Sequence, residues 1–183
     1  MFRDLSAVKL SSKNQKAEVL FFPGATAGDM LSRLKHDPKF KCIDPTFVNK
    51  IFLLTGTNNI DRILKDNTGN QIKKATKDIT DLVNFLYNWS SSSTINIINI
   101  LPRTTRTRNE VINRINGFLY DLSKRLPYIN FIDTALTRLL FSTRQGFRKN
   151  EYFKQGYDNV HLNLLGIAKL GKHLKYVAHN PTR

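Results

Sequence analysis

The chain has 183 residues, 40% of them hydrophobic, a single cysteine and a net charge of +15. That length and composition suit one domain, residues 1–183, with a buried core, and exclude a disordered chain. One cysteine, Cys42, excludes a disulfide framework and a thiolate metal site. The apolar runs are strand-length, far short of the roughly 20 residues of a membrane span, and no signal-peptide core opens the chain, so the expected compartment is cytoplasmic or nuclear.

A helix-like stretch, Phe2–Lys9, comes first, with no strand before it. Val19–Phe22 then reads as a short strand ended by Pro23-Gly24, and Ala27–Leu34 as a short helix. Ile51–Thr55 is an apolar run ending in Gly56. Next, Ile72, Ala75, Ile79, Leu82, Val83 and Leu86 recur at helical spacing, followed by the polar loop Ser90–Ser93. Thr94–Leu101 is rich in β-branched residues and stops at Pro102. Val111, Ile115, Phe118 and Leu122 mark a further helix, and Ile129–Ile132 a weaker strand. The last helix starts near Asn163, a good N-cap, with Leu164, Ile167, Ala168, Gly171 and Leu174 on one side. Strands of near-continuous apolar character alternating with helices predict an α/β/α three-layer, mostly parallel sheet. A parallel sheet that opens on a helix is expected to have its first strand missing. Ligands of such sheets bind beyond the carboxyl ends of the strands, where Gly24, Asn58 and Pro102-Arg103 fall.

The positive charge is unevenly placed. Arg103, Arg106 and Arg108 follow the Thr94–Leu101 run, and Arg144, Arg148 and Lys149 precede Asp158 among Phe147, Tyr152, Phe153 and Tyr157. Cations interleaved with aromatic rings suit RNA or single-stranded nucleic acid, which needs phosphate neutralisation and stacking platforms; a solvated basic surface over core aromatics is the plainer alternative. His36, His173 and His179 have no partner at ligand spacing, and no metal or cofactor site is expected.

Three short patches, Phe-Pro-Gly-Ala at 22–25, Gly-Thr-Asn-Asn at 56–59 and Asp-Asn-Val-His at 158–161, recur in an order that resembles the SGNH, or GDSL-type, hydrolase superfamily. The resemblance implies a flavodoxin-like fold and serine ester hydrolysis of a small ester. It implies Gly24 and Asn58 as oxyanion-hole donors, His161 as general base and Asp158 as its orienting carboxylate, with Leu162-Asn163 and Gly166 completing the last block. Taken alone, Gly24 also reads as a post-strand turn, Gly56-Thr57-Asn58 as an ordinary βα loop, and Asp158 as the close of a turn. The Gly-Asp-Ser block is absent, and Ser6, Ser11 and Ser12 lie too far along to replace its serine. The resemblance therefore implies an N-terminally truncated domain, its nucleophile upstream of Met1, with no or incomplete esterase activity as it stands. The stretches Leu-Thr-Gly-Thr-Asn-Asn-Ile-Asp, Asn-Ile-Leu-Pro-Arg and Gly-Tyr-Asp-Asn-Val-His-Leu-Asn are similar to esterase-type domains of animal retroelements and to the Oskar C-terminal (OSK) domain. That likeness implies RNA binding, though Asp158 and His161 depart from the OSK pattern by being retained.

Overall fold

The computed structural model describes residues 16–66, 69–101, 103, 105–132, 152 and 162–179. They belong to two units, one of residues 24–132 and one of residues 16–23, 152 and 162–179. The expected Phe2–Lys9 helix, the Asp158–His161 pair, and Arg144, Arg148 and Lys149 lie outside the described residues.

The first unit is an α/β layer system. Its helices are α1 (Ala27–His36), α2 (Pro38–Lys41), α3 (Asn59–Leu64), α4 (Asn70–Trp89) and α5 (Arg106–Arg125), with a 3₁₀ turn at Pro45–Phe47. Its strands, β1 (Lys50–Leu53), β2 (Thr94–Ile98) and β3 (Ile129–Ile132), form a parallel sheet in the order β1-β2-β3. Ile51 stands opposite Ile95, and Ile95 opposite Ile129. Thr94–Ile98 is buried almost throughout because it is the central strand, and its β-branched run fits a position covered on both faces.

The helical periodicities hold. Ala75, Ile79, Leu82, Val83 and Leu86 are the buried stripe of α4, and Val111, Ile112, Ile115, Leu119 and Leu122 that of α5. A buried leucine or isoleucine of this kind contributes about 1.5–3 kcal/mol relative to exposure. α1 begins with a capping box: the Thr26 hydroxyl accepts from the Asp29 backbone N–H at 3.3 Å, and the Asp29 carboxylate accepts from the Thr26 N–H at 3.0 Å. Phe40 of α2 packs on Trp89 and Phe85 of α4, with ring centroids 4.3 and 5.9 Å apart.

Several expectations change. Val19–Phe22 takes no strand among the described residues, because a β-favouring composition makes a strand only where a neighbour completes the ladder. Ser90–Ser93 is the expected polar loop, with Ser91 and Ser92 exposed, but its two ends are buried. The Ser90 and Ser93 hydroxyls lie 2.6 Å from each other and 2.9 and 2.6 Å from the carbonyls of Pro45 and Val48, so their two hydrogens serve two of these three contacts at a time. In the second unit, α6 (Leu164–His179) buries Gly166, Ile167, Leu170, Gly171, Leu174 and Val177, whereas Leu164 and Ala168 are exposed. Ile167, Gly171 and Leu174 thus lie on the buried face as expected, and Leu164 and Ala168 do not. Asn163 caps it as expected, accepting from the Gly166 N–H at 2.9 Å. A Cβ at Gly166 would run into the Tyr152 carbonyl oxygen, which accepts from the Asn163 N–H, so a glycine there lets the helix start against that segment.

Beyond β2 the backbone leaves the ladder, and α5 takes over its pairing. The Asn116 side chain accepts from the Ile100 N–H at 2.8 Å and donates to the Ile100 carbonyl at 3.0 Å. Two turns earlier on the same helix face, Asn109 does the same for Arg103, at 2.6 and 2.9 Å. Ile100 is fully buried, so these bonds satisfy peptide groups that water cannot reach.

Replacing Asn116 with alanine is expected to cost about 2–4 kcal/mol, since it strands a buried N–H and a buried C=O together. Asn109→Ala, in a less buried setting, should cost about 1 kcal/mol; urea denaturation of both variants measures the order. A second expectation concerns pH. The Asp29 carboxyl is held below the usual aspartate range, first by the Thr26 backbone N–H, then by the Thr26 hydroxyl and by Arg62. Because the folded value is the depressed one, this contribution is complete above the unfolded pKa of about 3.9 and is lost as pH falls through the folded value. The Tm gap between the parent and Asp29→Asn should therefore be constant from about pH 7 to 5 and shrink below about pH 4.

Candidate functional site

The carboxyl edge of the sheet is where the loops after β1 and β2 emerge, and in the first unit the segment leading into α1 meets the first of them. Gly24 has φ of +68°, a left-handed conformation that glycine adopts without strain, and it lies exposed with nothing near the place a Cβ would occupy. Gly56, at φ +88°, turns the chain sharply after β1; a Cβ there would press on Ile100 Cδ1 at 2.8 Å. The turn delivers Thr57, Asn58 and Asn59 to the start of α3.

Two adjacent asparagines then join this loop to the Gly24 segment. Asn58 Nδ2 donates to the Ala25 carbonyl at 2.9 Å, and Asn59 Oδ1 accepts from the Ala27 N–H at 3.2 Å. The structure thus brings Gly24 and Asn58 together: the Asn58 carboxamide is bonded to the residue after Gly24. A carboxamide nitrogen has two N–H bonds, and this contact uses one of them. Asn58 is exposed, whereas Asn59 is buried. Asn59, the last residue of the Gly-Thr-Asn-Asn patch, is thus a buried clamp between the two segments. At the same edge the Thr55 and Thr57 hydroxyls are buried with no hydrogen-bond partner among the described residues. Such groups cost stability unless something meets them.

Of the expected basic residues, Arg103, Arg106 and Arg108 are described. Arg106 and Arg108 flank the N-terminal turn of α5, but each already has a carboxylate: Arg106 Nε lies 3.1 Å from Glu110 Oε1, and Arg108 Nε 3.0 Å from Asp61 Oδ1. The second pair ties α5 to α3. Arg103 takes part through its backbone, held by Asn109. What the sequence did not disclose is that Asp61 and Glu110 sit within reach, because one pair depends on a tertiary neighbour 47 residues away. In the second unit the His173 imidazole is held below its usual pKa by burial, and its Nε2 has no partner among the described residues. Among the described residues no group of His, Cys, Asp or Glu side chains is placed to hold a metal ion, and no helix is long and apolar enough to cross a membrane.

Solved structures share this fold. A candidate platelet activating factor from Streptococcus pneumonia aligns at a TM-score of 0.64 and 25% identity, over 84% of this chain and 68% of that one. Two catalytic variants of Axe2, an acetylxylan esterase from Geobacillus stearothermophilus, align at a TM-score of 0.56. One has an aspartate and the other a serine replaced by alanine; their identities are 12% and 13%, over 87% of this chain and 69% of theirs. The fold is that of SGNH-like hydrolases. No family model and no curated protein matches the sequence.

The two asparagines should separate by mutation. Asn59→Ala leaves the Ala27 N–H buried without an acceptor and is expected to cost about 1–3 kcal/mol. Asn58→Ala removes a part-buried bond made by an exposed side chain, and should cost about 1 kcal/mol. Thermal melts of the two variants check the ranking.

Proposed function

We propose that the chain carries the larger part of an SGNH-type serine esterase site, acting on carboxylic esters. The observation that supports this reading is the hydrogen bond from Asn58 to Ala25, which sets a carboxamide N–H beside the exposed Gly24 turn at the carboxyl edge of the sheet. Two such donors suit an oxyanion: when a nucleophile adds to an ester carbonyl, the oxygen gains a full charge, and donors fixed in advance stabilise it. The buried hydroxyls of Thr55 and Thr57 show that this edge has polar groups still to be met.

In the reaction a serine hydroxyl attacks the ester carbonyl carbon while its proton passes to His161. Asp158 holds the imidazole in the accepting tautomer and stabilises the imidazolium. The C–O bond to the alcohol then breaks as His161 returns the proton to the departing oxygen. Water repeats the sequence on the acyl-enzyme and releases the acid. The roles of Asp158 and His161 rest on sequence, since both lie outside the described residues. These 183 residues hold no Gly-Asp-Ser block, so turnover requires a serine from outside them. Without it the oxyanion donors recover little, because loss of the serine in such enzymes lowers turnover by about 10⁶.

A second reading, binding of RNA or single-stranded nucleic acid, is favoured by the net charge of +15. A field of that sign concentrates polyanions at the surface. The finer likeness to retroelement-encoded domains rests on the sequence stretches alone, and suits the same reading.

The ester reading is tested with p-nitrophenyl acetate. The chain as it stands should show no turnover above background. The same chain preceded by an apolar strand ending in Gly-Asp-Ser should turn over, and His161→Ala should abolish that activity. Asn58→Ala in the active form should lower kcat by about 10²–10³ with little change in KM. Activity without the serine, or activity indifferent to His161, overturns the assignment.

A further inference from the structure

On the outer face of α4 and α5 lies a groove of about 480 Å³, lined by Lys73, Lys77, Asp81 and Asn84 of α4 and by Phe118 and Arg125 of α5, among others. It runs along both helices, from Lys73 in the first turn of α4 to Leu126, just before β3 begins, and neither Gly24 nor Asn58 lines it. The groups it contains are unequal in what they already do. Lys77 is bonded to Asp81 at 2.5 Å. Thr76 and Thr80 donate their hydroxyl hydrogens to backbone carbonyls of their own helix. The Asn84 Oδ1 accepts from the Tyr128 hydroxyl at 3.2 Å. That leaves, without a partner among the described residues, the Lys73 ammonium, the Arg125 guanidinium and the Asn84 amide hydrogens. All are donors and two are cations, whereas the single carboxylate is already paired. The floor is apolar, and Phe118 stands half-exposed in it, the one member of its helical stripe that the core does not take. Beyond Asn84, the Tyr128 ring stacks on Tyr87 at 3.8 Å between centroids.

We infer that this groove is a binding site for single-stranded nucleic acid, with Lys73 and Arg125 on phosphates and Phe118 as a stacking platform for a base. The inference rests on the second reading above and moves its site. At the start of α5 a phosphate meets Arg106 and Arg108 with a carboxylate already beside each, whereas in the groove Lys73 and Arg125 have no carboxylate partner among the described residues. A ligand that fits must be anionic, rich in acceptors and able to lay a flat apolar surface on the ring. A single strand has all three properties, with one phosphate and one π-face in each nucleotide. A neutral ester has none of the charge, and an acidic peptide lacks the repeating flat surface.

The test is fluorescence anisotropy with a fluorescein-labelled oligouridylate of about 12 nucleotides, a length within the range one such site covers, titrated at several salt concentrations. The chain is compared with Lys73→Glu/Arg125→Glu, with Phe118→Leu, and with Arg106→Glu/Arg108→Glu; circular dichroism confirms folding of each, and Lys73→Gln/Arg125→Gln serves if the reversal does not fold. The groove charge variant should bind at least about tenfold more weakly, with the salt slope reduced by about 1.4, or about 0.7 for each lost phosphate contact. Phe118→Leu should lose about fivefold or more, because the leucine keeps the apolar volume without the ring face. Arg106→Glu/Arg108→Glu should lose less than the groove variant. Binding unchanged by the groove variants overturns this site while leaving the nucleic-acid reading in place. No binding by the parent chain at low salt overturns both. Displacement by polyglutamate as readily as by unlabelled RNA overturns the ligand class in favour of an acidic peptide.

Discussion

The carboxyl edge of this sheet is held by side-chain amides that do the work of backbone. A parallel strand that ends must hand its peptide groups to some other partner, and a buried N–H or C=O left without one costs about as much as several well-packed methyl groups contribute. Here asparagine takes the role repeatedly. Asn116 and Asn109 meet both polar groups of Ile100 and Arg103, and Asn58 and Asn59 join the loop after β1 to the segment that carries Gly24. A carboxamide has the donor and acceptor of a peptide unit on a short stem, so each of these contacts behaves like one more rung of a ladder. The consequence is positional. The loops that would carry ligand contacts are fixed by helices α3 and α5, and those helices are fixed in turn by their apolar stripes.

This explains which parts of the molecule the sequence disclosed. The long helices and the central strand are dictated by periodicity and burial, properties each segment carries within itself. Ile79, Leu82 and Leu86 announce a face, and Ile95 to Ile98 announce a strand covered on both sides. Val19–Phe22 carries the same composition as a strand yet takes none, because pairing belongs to the neighbour as much as to the segment. The serines after Trp89 read only as a polar loop; that the Ser90 and Ser93 hydroxyls lie against the Pro45 and Val48 carbonyls, 45 residues away, is a tertiary fact. On the last helix Ile167, Gly171 and Leu174 are buried as their spacing predicts, whereas Leu164 and Ala168, assigned to the same side, are exposed and Leu170 and Val177 complete the buried face.

For the candidate site the same division holds. The positive φ of Gly24 follows from a Pro-Gly turn, and the approach of Asn58 to that turn follows from the order of the motifs. The part played by Asn59 was legible only as loop shaping, because the acceptor it offers is aimed at a backbone N–H 32 residues away. Charge was the least legible property. Counting arginines between 103 and 108 locates cations but not their partners, and Asp61 and Glu110 convert two of the three into ion pairs. Exposed pairs of this kind are worth little, generally under about 1 kcal/mol, so they do not forbid an incoming phosphate. They do mean that its gain is measured against a carboxylate already in place.

The excess of positive charge and the proposed oxyanion donors, Gly24 and Asn58, answer to different ligands. An uncharged ester gains nothing at long range from a net charge of +15, and near the reacting carbonyl an exposed arginine is screened within about 8 Å at physiological salt. Donors that stabilise an oxyanion act only when fixed at hydrogen-bond distance, which is why Asn58 matters through its bond to Ala25 rather than through any charge. A polyanion has the opposite requirements: many cations, loosely placed, on a surface long enough to follow a backbone. The loops after β1 and β2 emerge at the carboxyl edge of the sheet, whereas the groove runs along α4 and α5 from Lys73 to Leu126. The two sets of requirements therefore fall on different residues of one layer system, and a substitution that alters one need not reach the other.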